Sequence, residues 1–308
     1  IALKSLNLKK GSEIIIPSFS IISTALCVVK LGLKPILVDS NLSNWNMDVD
    51  QVIKKINQKT KAIIITHIYG FPVDCNRIIK IAKKKRIKII EDAAEVIGQK
   101  YLKRMCGSLG DISTFSFYAN KHVTTGEGGM ISTNNPKYFK KCKDLRNLCF
   151  GKKDRFNHSD IGWNYRMTNI QAAMGLSQLK NINNVIKKKI YLGKLYFKLL
   201  SKNKNIFIKK PVEGKSINIY WVVGILILKN KILAKQLSNE LGKVGVQTRP
   251  FFFPMNKQKI LKKFLKLKKE KFKNSEYISK YGLYLPSYFD LKKKDIYFIC
   301  KQINNFLK

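Results

Sequence analysis

A single lysine, Lys121, occupies a position where a side chain could do covalent chemistry. It lies in the stretch FSFYANKHVTTGEGG (115–129), between a strand-like run and a threonine-glycine turn. A second stretch, EDAAE (91–95), ends another apolar run with carboxylates. Each feature also has an ordinary explanation, since surface lysines are common, a carboxylate at a strand end can cap a helix, and glycines form tight turns. Neither stretch decides the chemistry alone.

Three side chains from these stretches form a chemical set. Lys121 is an amine, Asp92 a carboxylate and Ser116 a hydroxyl. An aldehyde cofactor such as pyridoxal phosphate needs an amine to bind it covalently and a carboxylate to keep its pyridine nitrogen protonated. It also needs hydroxyl and backbone donors for its phosphate. Together the residues point to this cofactor, although Ser116 can equally be an ordinary polar residue of a strand.

The elements around these residues alternate between strands and helices. Strand-like runs lie at 13–19, 34–39, 61–70, 87–92, 111–118 and 128–134, and helical stretches at 23–32, 48–57 and 76–86. The stretch 48–57 begins with an aspartate that is available to cap the helix. This rhythm predicts an α/β fold with a mostly parallel sheet and helices on both faces. Ligands of such sheets bind beyond the carboxyl ends of the strands, where Asp92 and Lys121 are both expected.

The rest of the chain is helical from about 136 to 204 and then mixes strands and helices to residue 308. We therefore expect a large domain at 1–204 and a smaller α+β domain at 205–308. The lysine-rich run 259–272 keeps apolar residues at helical intervals, which predicts a solvated helix face.

The charge balance is strongly basic, but its pattern does not favour a nucleic-acid partner. The chain has 308 residues and a formal net charge of +41. Of its 60 Lys and Arg residues only seven are arginine, and the lysines are spread along the whole chain. Specific nucleic-acid readers depend on arginine for bidentate contacts. We interpret the excess as compositional drift, expect no nucleic-acid partner, and expect the basic surface to attract a phosphate-bearing small substrate.

Cysteine and histidine usage predicts neither zinc nor an oxidising compartment. The six cysteines include no CxxC pair and only three histidines are present, so we expect no metal site. Scattered thiols are typical of the reducing cytoplasm. The sequence shows no signal peptide and no apolar run of membrane-spanning length, which predicts a cytoplasmic protein without a membrane partner. The opening IALKSLNLKKG reads as the tail of a helix, and we expect the sequence to lack its true N-terminus.

Several segments of the chain together resemble one enzyme family. In order, they are KAIIITHIYGFPVD, IIEDAAEVIGQKY, CGSLGDISTFSFYANKHVTTGEGGMISTN, IGWNYRMTNIQAAMGLSQL, VGVQTRPFFFPM and SKYGLYLPSYFDLKKKDIYFIC. Their order and spacing are similar to those of the DegT/DnrJ/EryC1/StrS family of pyridoxal-phosphate-dependent sugar aminotransferases, and most like its branch of GDP-perosamine synthases. The resemblance implies the fold of type I aminotransferases, with a mostly parallel seven-stranded sheet and a smaller C-terminal α+β domain.

The family's cofactor roles fall on matching residues of this chain. The resemblance implies that Lys121 carries the pyridoxal phosphate and moves a proton during the reaction. It further implies that Asp92 pairs with the pyridinium nitrogen, that Glu95 faces the cofactor's phenolic oxygen, and that Ser116 binds the phosphate. Ile21 takes the place of the family's aromatic residue that stacks on the ring, so we expect a weaker contact there.

Two further residues are implied to act on the phosphate and the substrate. Asn164, in GWNYRM, is implied to contact the phosphate of a neighbouring subunit, so the resemblance implies a homodimer with shared active sites. Arg249, in TRPFF, is implied to border the sugar-nucleotide pocket. Some relatives are dehydratases with histidine in place of the lysine, but the spacing from Ser116 puts Lys121 and not His122 at that position.

The implied reaction is transamination. L-glutamate is the implied amino donor, and the acceptor is a 4-keto-6-deoxy sugar linked to GDP or UDP, in the synthesis of surface polysaccharide or another glycoconjugate. Three alternatives stay open: a pyridoxal-phosphate-dependent sugar dehydratase, a nucleic-acid-binding protein, and an inactive family fragment. The third follows because the family's glycine-threonine helix start, which cradles the cofactor phosphate, is missing from this sequence.

Overall fold

A six-stranded sheet forms the centre of the first half of the molecule. The computed structural model describes residues 1–214, 216–229, 232–265, 267 and 270–308. The strands of this sheet are β1 (Glu13–Pro17), β2 (Lys34–Val38), β3 (Thr60–Thr66), β4 (Lys88–Asp92), β5 (Ile112–Ser116) and β6 (Gly129–Ser132). Their order across the sheet is β2–β1–β3–β4–β5–β6. The first five are parallel, and β6 runs antiparallel to β5.

The large sheet confirms the predicted fold class but corrects the number of strands. A mostly parallel sheet with helices on both faces is present, as the sequence predicts. It has six strands, whereas the family resemblance implies seven. The runs read directly from the sequence number six and all of them form; the seventh was implied by the resemblance alone. No other described segment pairs with the edge strands β2 and β6.

Short helices cover both faces of this sheet. They are α1 (Ala2–Ser5), α2 (Ser23–Lys30), α3 (Val49–Lys55) and α4 (Asn76–Lys84). The predicted aspartate cap of α3 is confirmed, because the Asp48 side chain accepts hydrogen bonds from the amides of Asp50 and Gln51. Successive residues of a strand point to opposite faces, so Ile15 shares a core with α3 and α4, and Ile14 shares one with α1 and α2.

Three helices follow, as the sequence predicts for 136–204. They are α5 (Pro136–Leu145), α6 (Asn169–Lys180) and α7 (Ile182–Leu200). No residue of α6 is buried. By contrast, α7 buries Leu192, Tyr196 and Leu200 in the core of the C-terminal half. The domain boundary at 204/205 stays a prediction, and α7 packs across it.

The C-terminal half is built on a four-stranded antiparallel sheet. Its strands are β7 (Ile206–Ile208), β8 (Val223–Ile227), β9 (Arg249–Pro250) and β10 (Gly282–Leu285), in the order β9–β10–β8–β7. Its helices are α8 (Ala234–Lys243), α9 (Lys273–Tyr281) and α10 (Lys293–Phe306). Among the described residues, no helix combines the length and the apolar character that crossing a membrane requires.

The helix predicted for the lysine-rich run 259–272 does not form over its described residues. They contain only a short 3-10 turn, Lys259–Leu261, and no α-helix. Lysines three and four residues apart repel one another on a helix surface. Leu261 and Leu265 are instead buried in the core that also holds α1 and α2. Residues 266, 268 and 269 of the run lie outside the described residues.

An aromatic cluster joins the two halves of the molecule. Its buried members include Phe19, Trp45, Tyr69, Trp221 and Phe251. The two halves approach closely at Gly70, where a Cβ atom would lie 2.6 Å from the backbone nitrogen of Trp221 and 2.8 Å from that of Tyr220. Gly70 also has φ +88°, a conformation that glycine adopts without strain. The absence of a side chain at position 70 therefore lets the two backbones meet.

Candidate active site

Two parallel neighbours in the large sheet, β4 and β5, carry the central residues of the site. Asp92 is the last residue of β4 and pairs in register with Thr114 of β5. Lys121 follows β5 on a turn, where its amide donates a hydrogen bond to the carbonyl of Tyr118. Both residues therefore lie at the carboxyl edge of the sheet, where parallel sheets bind their ligands.

Hydrogen bonds of the threonine-glycine turn hold Lys121 in place. The hydroxyl of Thr124 donates to the carbonyl of Phe117 at 3.0 Å, and the amide of Thr125 donates to the same carbonyl at 2.9 Å. From α6, the side chain of Gln178 accepts from the amide of Thr124 and donates to its carbonyl. The turn is fixed from two sides, which restricts where the lysine can point.

The amino group of Lys121 lies over an aromatic ring. Its Nζ is 3.6 Å from the ring centroid of Trp221. Trp221 comes from the C-terminal half, and its Nε1 donates a hydrogen bond to the carbonyl of Asn120 at 2.9 Å. Burial lowers the pKa of Lys121, and the carboxylates of Glu95 and Asp92 oppose that effect. A lowered pKa increases the fraction of neutral amine near pH 7, and the neutral amine is the nucleophile.

The carboxylate of Asp92 is partly buried and has few hydrogen bonds. Its Oδ1 accepts one hydrogen bond, from the amide of Ala94 at 3.1 Å. No α-helix starts at this point, so the helix-cap interpretation of the carboxylate is wrong. Burial raises the pKa of Asp92, against the amide of Ala94 and the charge of Lys121. A carboxylate with room for another donor can hold a protonated ring nitrogen.

Glu95 is buried beside the same lysine. Its Oε2 accepts a hydrogen bond from the amide of Tyr69 at 2.7 Å. Burial raises the pKa of Glu95 well above its ordinary value, and Lys121 opposes the shift. The protonated form of such a carboxyl group can donate a hydrogen bond to a ligand oxygen.

A cleft with a volume of about 1350 Å³ opens beside Lys121. Trp221, Arg249 and the segment 286–289 contribute to its walls. Arg249 is exposed and pairs in register with Tyr284 across β9 and β10. The structure therefore brings Lys121 and Arg249 to the walls of one cavity.

Asp92 borders a second and smaller cavity of about 340 Å³. Thr24 and Cys27 of α2 also line this cavity. The described residues that line the two cavities do not overlap, but the charge of Lys121 opposes the rise in the pKa of Asp92, so the two groups interact electrostatically.

Ser116, Ile21 and Asn164 are not among the residues that line the main cleft in the described chain. Ser116 ends β5, and its Oγ accepts a hydrogen bond from the amide of Tyr118 at 3.3 Å. Ile21 precedes α2 and is 48% exposed. Asn164 is exposed on the loop before α6, where its Oδ1 accepts from Nε of Arg166 at 2.9 Å. The roles implied for these three residues stay predictions.

The sequence interpretation did not single out Tyr69 and Trp221. Tyr69 follows β3 at the carboxyl edge, so the rule that drew attention to Asp92 could have found it as well. Trp221 carries no local signal, because it reaches the site from 101 residues beyond Asn120.

Comparisons with known proteins agree along the whole chain. The model of the DegT/DnrJ/EryC1/StrS aminotransferase family matches residues 1–304. A GDP-perosamine synthase of Escherichia coli O157:H7 is 36% identical over 307 residues, which are 99% of this chain and 82% of that protein. A GDP-perosamine synthase of Caulobacter vibrioides is 34% identical over 96% of this chain and 79% of its own length. The structure of Helicobacter pylori PseC, an aminotransferase involved in the biosynthesis of pseudoaminic acid, superposes with a TM-score of 0.91 at 25% identity, over 99% of this chain and 83% of that one. This protein therefore belongs to the DegT/DnrJ/EryC1/StrS aminotransferase family, as the resemblance of its motifs implied.

Proposed function

We propose that this protein is a pyridoxal-phosphate-dependent aminotransferase that moves an amino group from L-glutamate to a 4-keto-6-deoxy sugar carried on GDP or UDP. The observation that carries the proposal is the position of Lys121, a lysine with a lowered pKa beside the carboxylates of Asp92 and Glu95, in the wall of a large cleft. The names of the related GDP-perosamine synthases support a nucleotide-linked sugar as the acceptor.

Three buried hydroxyl side chains fit the proposed cofactor. Within the described chain, Ser20, Thr24 and Thr66 each have a buried hydroxyl without a hydrogen-bond partner. Thr24 borders the small cavity of Asp92, and Thr66 pairs with Asp92 across the sheet. Buried polar atoms are rarely left without partners, so these hydroxyls are suited to a ligand with several polar oxygens. A phosphate ester with a phenolic oxygen has this character.

Each catalytic task of the proposed reaction has a residue of this chain to perform it. When bound, pyridoxal phosphate supplies an aldehyde that takes up the amino group and a ring that accepts electrons. Lys121 is the residue that binds it and the base that moves a proton at the carbon next to the transferred nitrogen. Asp92 keeps a proton on the ring nitrogen, and Glu95 donates a hydrogen bond to the phenolic oxygen. Trp221 covers one side of the Lys121 amine and keeps water away from it.

The more distant walls of the cleft suit the nucleotide part of the acceptor. Arg249 supplies a permanent positive charge, and guanidinium groups bind phosphate oxygens in pairs. Tyr288 and Phe289 offer rings that are 60% and 44% exposed, and exposed aromatic rings can stack on a base. The net charge of +41 adds a general attraction for a phosphorylated substrate.

We also propose that two copies of the chain form a homodimer with shared active sites. No residue of α6 is buried, and Ile170 and Leu176 are 76% and 62% exposed. Apolar surfaces of this kind are typical of protein interfaces. Through Gln178, the same helix contacts the turn that carries Lys121. A second copy bound to α6 would thus lie next to the site, where Asn164 could reach the partner's phosphate.

Light scattering tests the homodimer. The wild-type protein should have twice the chain mass of 35.5 kDa. Leu176→Asp, which puts a charge on the exposed apolar face of α6, should produce monomers and reduce turnover. Lys103→Asp, at an exposed position outside α6, controls for the added negative charge and should leave the dimer intact. A monomeric wild-type protein would contradict this part of the proposal.

Absorption spectroscopy tests the reaction. The protein mixed with pyridoxal phosphate should show a yellow band that L-glutamate bleaches, and an aminated sugar should form when the keto sugar is added. Lys121→Ala should lose both the band and the product, whereas Lys103→Ala, which changes an exposed lysine, should keep both. Transamination that persists in Lys121→Ala would contradict the mechanism.

The same experiment separates the alternatives. Release of ammonia without an aminated sugar would identify a dehydratase. A chain that develops no band at all would instead support the inactive fragment.

A further inference from the structure

A second lysine in the wall of the main cleft, Lys189 of α7, has no part in the chemistry described above. It is 7% exposed and borders the cleft together with Lys121 and Trp221. Its Nζ donates hydrogen bonds to the carbonyl oxygen of Ser287 and, at 3.2 Å, to the hydroxyl of the same residue. Among the described residues no carboxylate pairs with it. Lys189 is thus a buried amine whose contacts are limited to one short segment of the cleft wall.

The packing of Lys189 differs from that of the other strongly buried lysine, Lys209. Lys209 is 2% exposed, lies 4.5 Å from the ring centroid of Trp45 and 4.9 Å from that of Phe71, and donates to the carbonyl of Asn44. Cation–π contacts of this kind offset part of the cost of burial. Burial lowers the pKa of Lys189 to about 7, and no neighbouring charge opposes it. A buried cation without a counter-charge costs stability, and groups of this kind cluster at functional sites.

Helix α7 holds the segment that follows β10 with two donors. Tyr196 donates from its hydroxyl to the carbonyl of Pro286 at 2.9 Å, and Lys189 donates to the next carbonyl, that of Ser287. Positions 189 and 196 are two turns apart and lie on one face of the helix. The two residues that follow Ser287 are aromatic and border the cleft. The donors on α7 therefore determine where these rings stand.

We propose that Lys189 is a positioning residue for the acceptor substrate: its hydrogen bonds to Ser287 fix the aromatic wall against which the nucleotide binds. This inference rests on the proposed function. The cleft, at about 1350 Å³, is larger than ordinary small-molecule sites, and a five-carbon amino acid fills a small part of it. The wall at 286–289 is therefore needed by the nucleotide-linked sugar and not by glutamate.

Kinetics of the two half-reactions test this inference in Lys189→Met, which keeps the length of the side chain and removes the donor. With GDP-linked 4-keto-6-deoxymannose as the acceptor, we expect its KM to rise about tenfold, the effect of losing a hydrogen bond to a charged group. The KM for L-glutamate should change by less than about twofold, since the donor does not reach this wall. Lys189→Arg restores a donor and should bring the acceptor KM back towards the wild-type value. Lys187→Met, on the exposed side of α7, is the matched control.

The outcomes separate a positioning role from a purely structural one. The Tm of Lys189→Met should equal or exceed that of the wild type, because an unpaired buried cation has been removed. An unchanged acceptor KM would overturn the inference, and so would an equal loss in both half-reactions together with a lower Tm. Calorimetry with GDP is independent of turnover: about tenfold weaker binding in Lys189→Met supports the inference, and equal binding overturns it. A wild-type protein that binds GDP but transfers no amino group would count against the proposed function alone.

Discussion

Two neighbouring carboxylates on β4, Glu91 and Asp92, point to opposite faces of the sheet and have opposite surroundings. Glu91 is fully buried and accepts hydrogen bonds from five donors, which are Nε2 of His67, the amides of Gly107, Leu109 and Gly110, and the hydroxyl of Ser113. In the described chain Asp92 accepts one, from the amide of Ala94. A carboxylate whose acceptor positions are filled serves the fold, whereas one with open positions can serve a ligand.

The two pKa values follow the same division. Nδ1 of His67 accepts from the amide of Val73 at 3.0 Å, so the ring proton lies on Nε2 and is donated to Glu91 at 2.9 Å. Burial by itself would raise the pKa of Glu91, but His67 and the backbone amides hold it below its ordinary value. At Asp92 burial dominates and the pKa is raised. Hydrogen bonding thus lowers the pKa of Glu91, whereas Asp92 has too few donors to offset the effect of burial on its pKa.

A cluster with the spacing of metal ligands belongs to the same network. Ligand atoms of His67, Glu91 and Cys106 lie within 4.8 Å of one another. The lone pair on Nδ1 of His67 and both oxygens of Glu91 are already used as hydrogen-bond acceptors. We therefore assign these groups to the hydrogen-bond network of the fold.

The largest expected effect is on turnover, in Asp92→Asn. An amide cannot hold a proton on the ring nitrogen of the cofactor, so we expect the amino-transfer rate to fall about 10³-fold, or about 4 kcal/mol. The free energy of unfolding should be unchanged or slightly higher, because an ionisable group with open positions has been removed. Steady-state kinetics and urea unfolding measure the two quantities. If Asp92→Asn lost stability and kept its turnover, Asp92 would stabilise the fold and would have no role in the reaction.

Glu91→Gln should show the opposite pattern. Its five donors would lose a charged acceptor inside the protein, and we expect about 3 kcal/mol less free energy of unfolding. Urea unfolding of the protein measures this loss, and Glu127→Gln, at an exposed position, serves as the control. If Glu91→Gln were as stable as the wild type and inactive, Glu91 would belong to the site and the division between the two acids would fail.

A third carboxylate, Asp39, extends the comparison to another part of the molecule. It is 4% exposed, and it accepts from the amide of Asn274 at 3.0 Å and from the amide of Ser275 at 2.8 Å, at the start of α9. Because its positions are filled, we assign it to the fold. Asp39→Ala should cost about 1–2 kcal/mol in urea unfolding, as the loss of a helix cap does, and should leave the KM values unchanged. A change in KM at wild-type stability would contradict this.

The smallest expected effect is on the pH dependence of stability. The pKa of Glu91 is lowered in the folded protein. The ionised carboxylate therefore stabilises the fold above its ordinary pKa of about 4, and this stabilisation is lost as the pH falls through the pKa of the folded state. The pKa of Asp92 is raised in the folded protein. Its protonated form therefore stabilises the fold below the ordinary pKa of an aspartate, and this stabilisation is lost as the pH rises through the pKa of the folded state. The stability difference between wild type and Glu91→Gln should therefore shrink in acid, and that between Asp92→Asn and wild type should grow towards neutral pH. Urea unfolding between acid and neutral pH measures both differences. Taken as wild type minus variant, the difference for Glu91→Gln should rise with pH and that for Asp92→Asn should fall, and a change in the same direction for both would contradict the assignment.

The sequence predicted the parts of the fold that depend on local patterns. The six strands, the helices between them and the Asp48 cap all follow from apolar periodicity and capping residues. The prediction of a helix at 259–272 was wrong because apolar periodicity does not account for repulsion between like charges on a helix surface. The prediction of a seventh strand was wrong because it came from the family resemblance and not from any apolar run in this chain.

The candidate site was predictable only in part, for the same reason. The motif around Lys121 and the acidic stretch at 91–95 are local, and both lie at the sheet edge where the strand order puts them. The sequence showed an acid pair but not which acid would have its hydrogen-bond positions filled, because the donors to Glu91 come from distant turns. Tyr69 and Trp221 joined the site through tertiary packing, which no local pattern reveals.

Gly70 has a consequence for how this chain tolerates mutation. A Cβ atom at position 70 would lie only 2.6 Å from the backbone nitrogen of Trp221, so even the side chain of alanine is too large for this position. A saturation library at position 70 should therefore divide into glycine and everything else, with little dependence on side-chain size or polarity. Any of the other residues would push apart the two halves and draw Trp221 away from Lys121. A site spread over both halves of the chain thus depends on one residue that has no side chain.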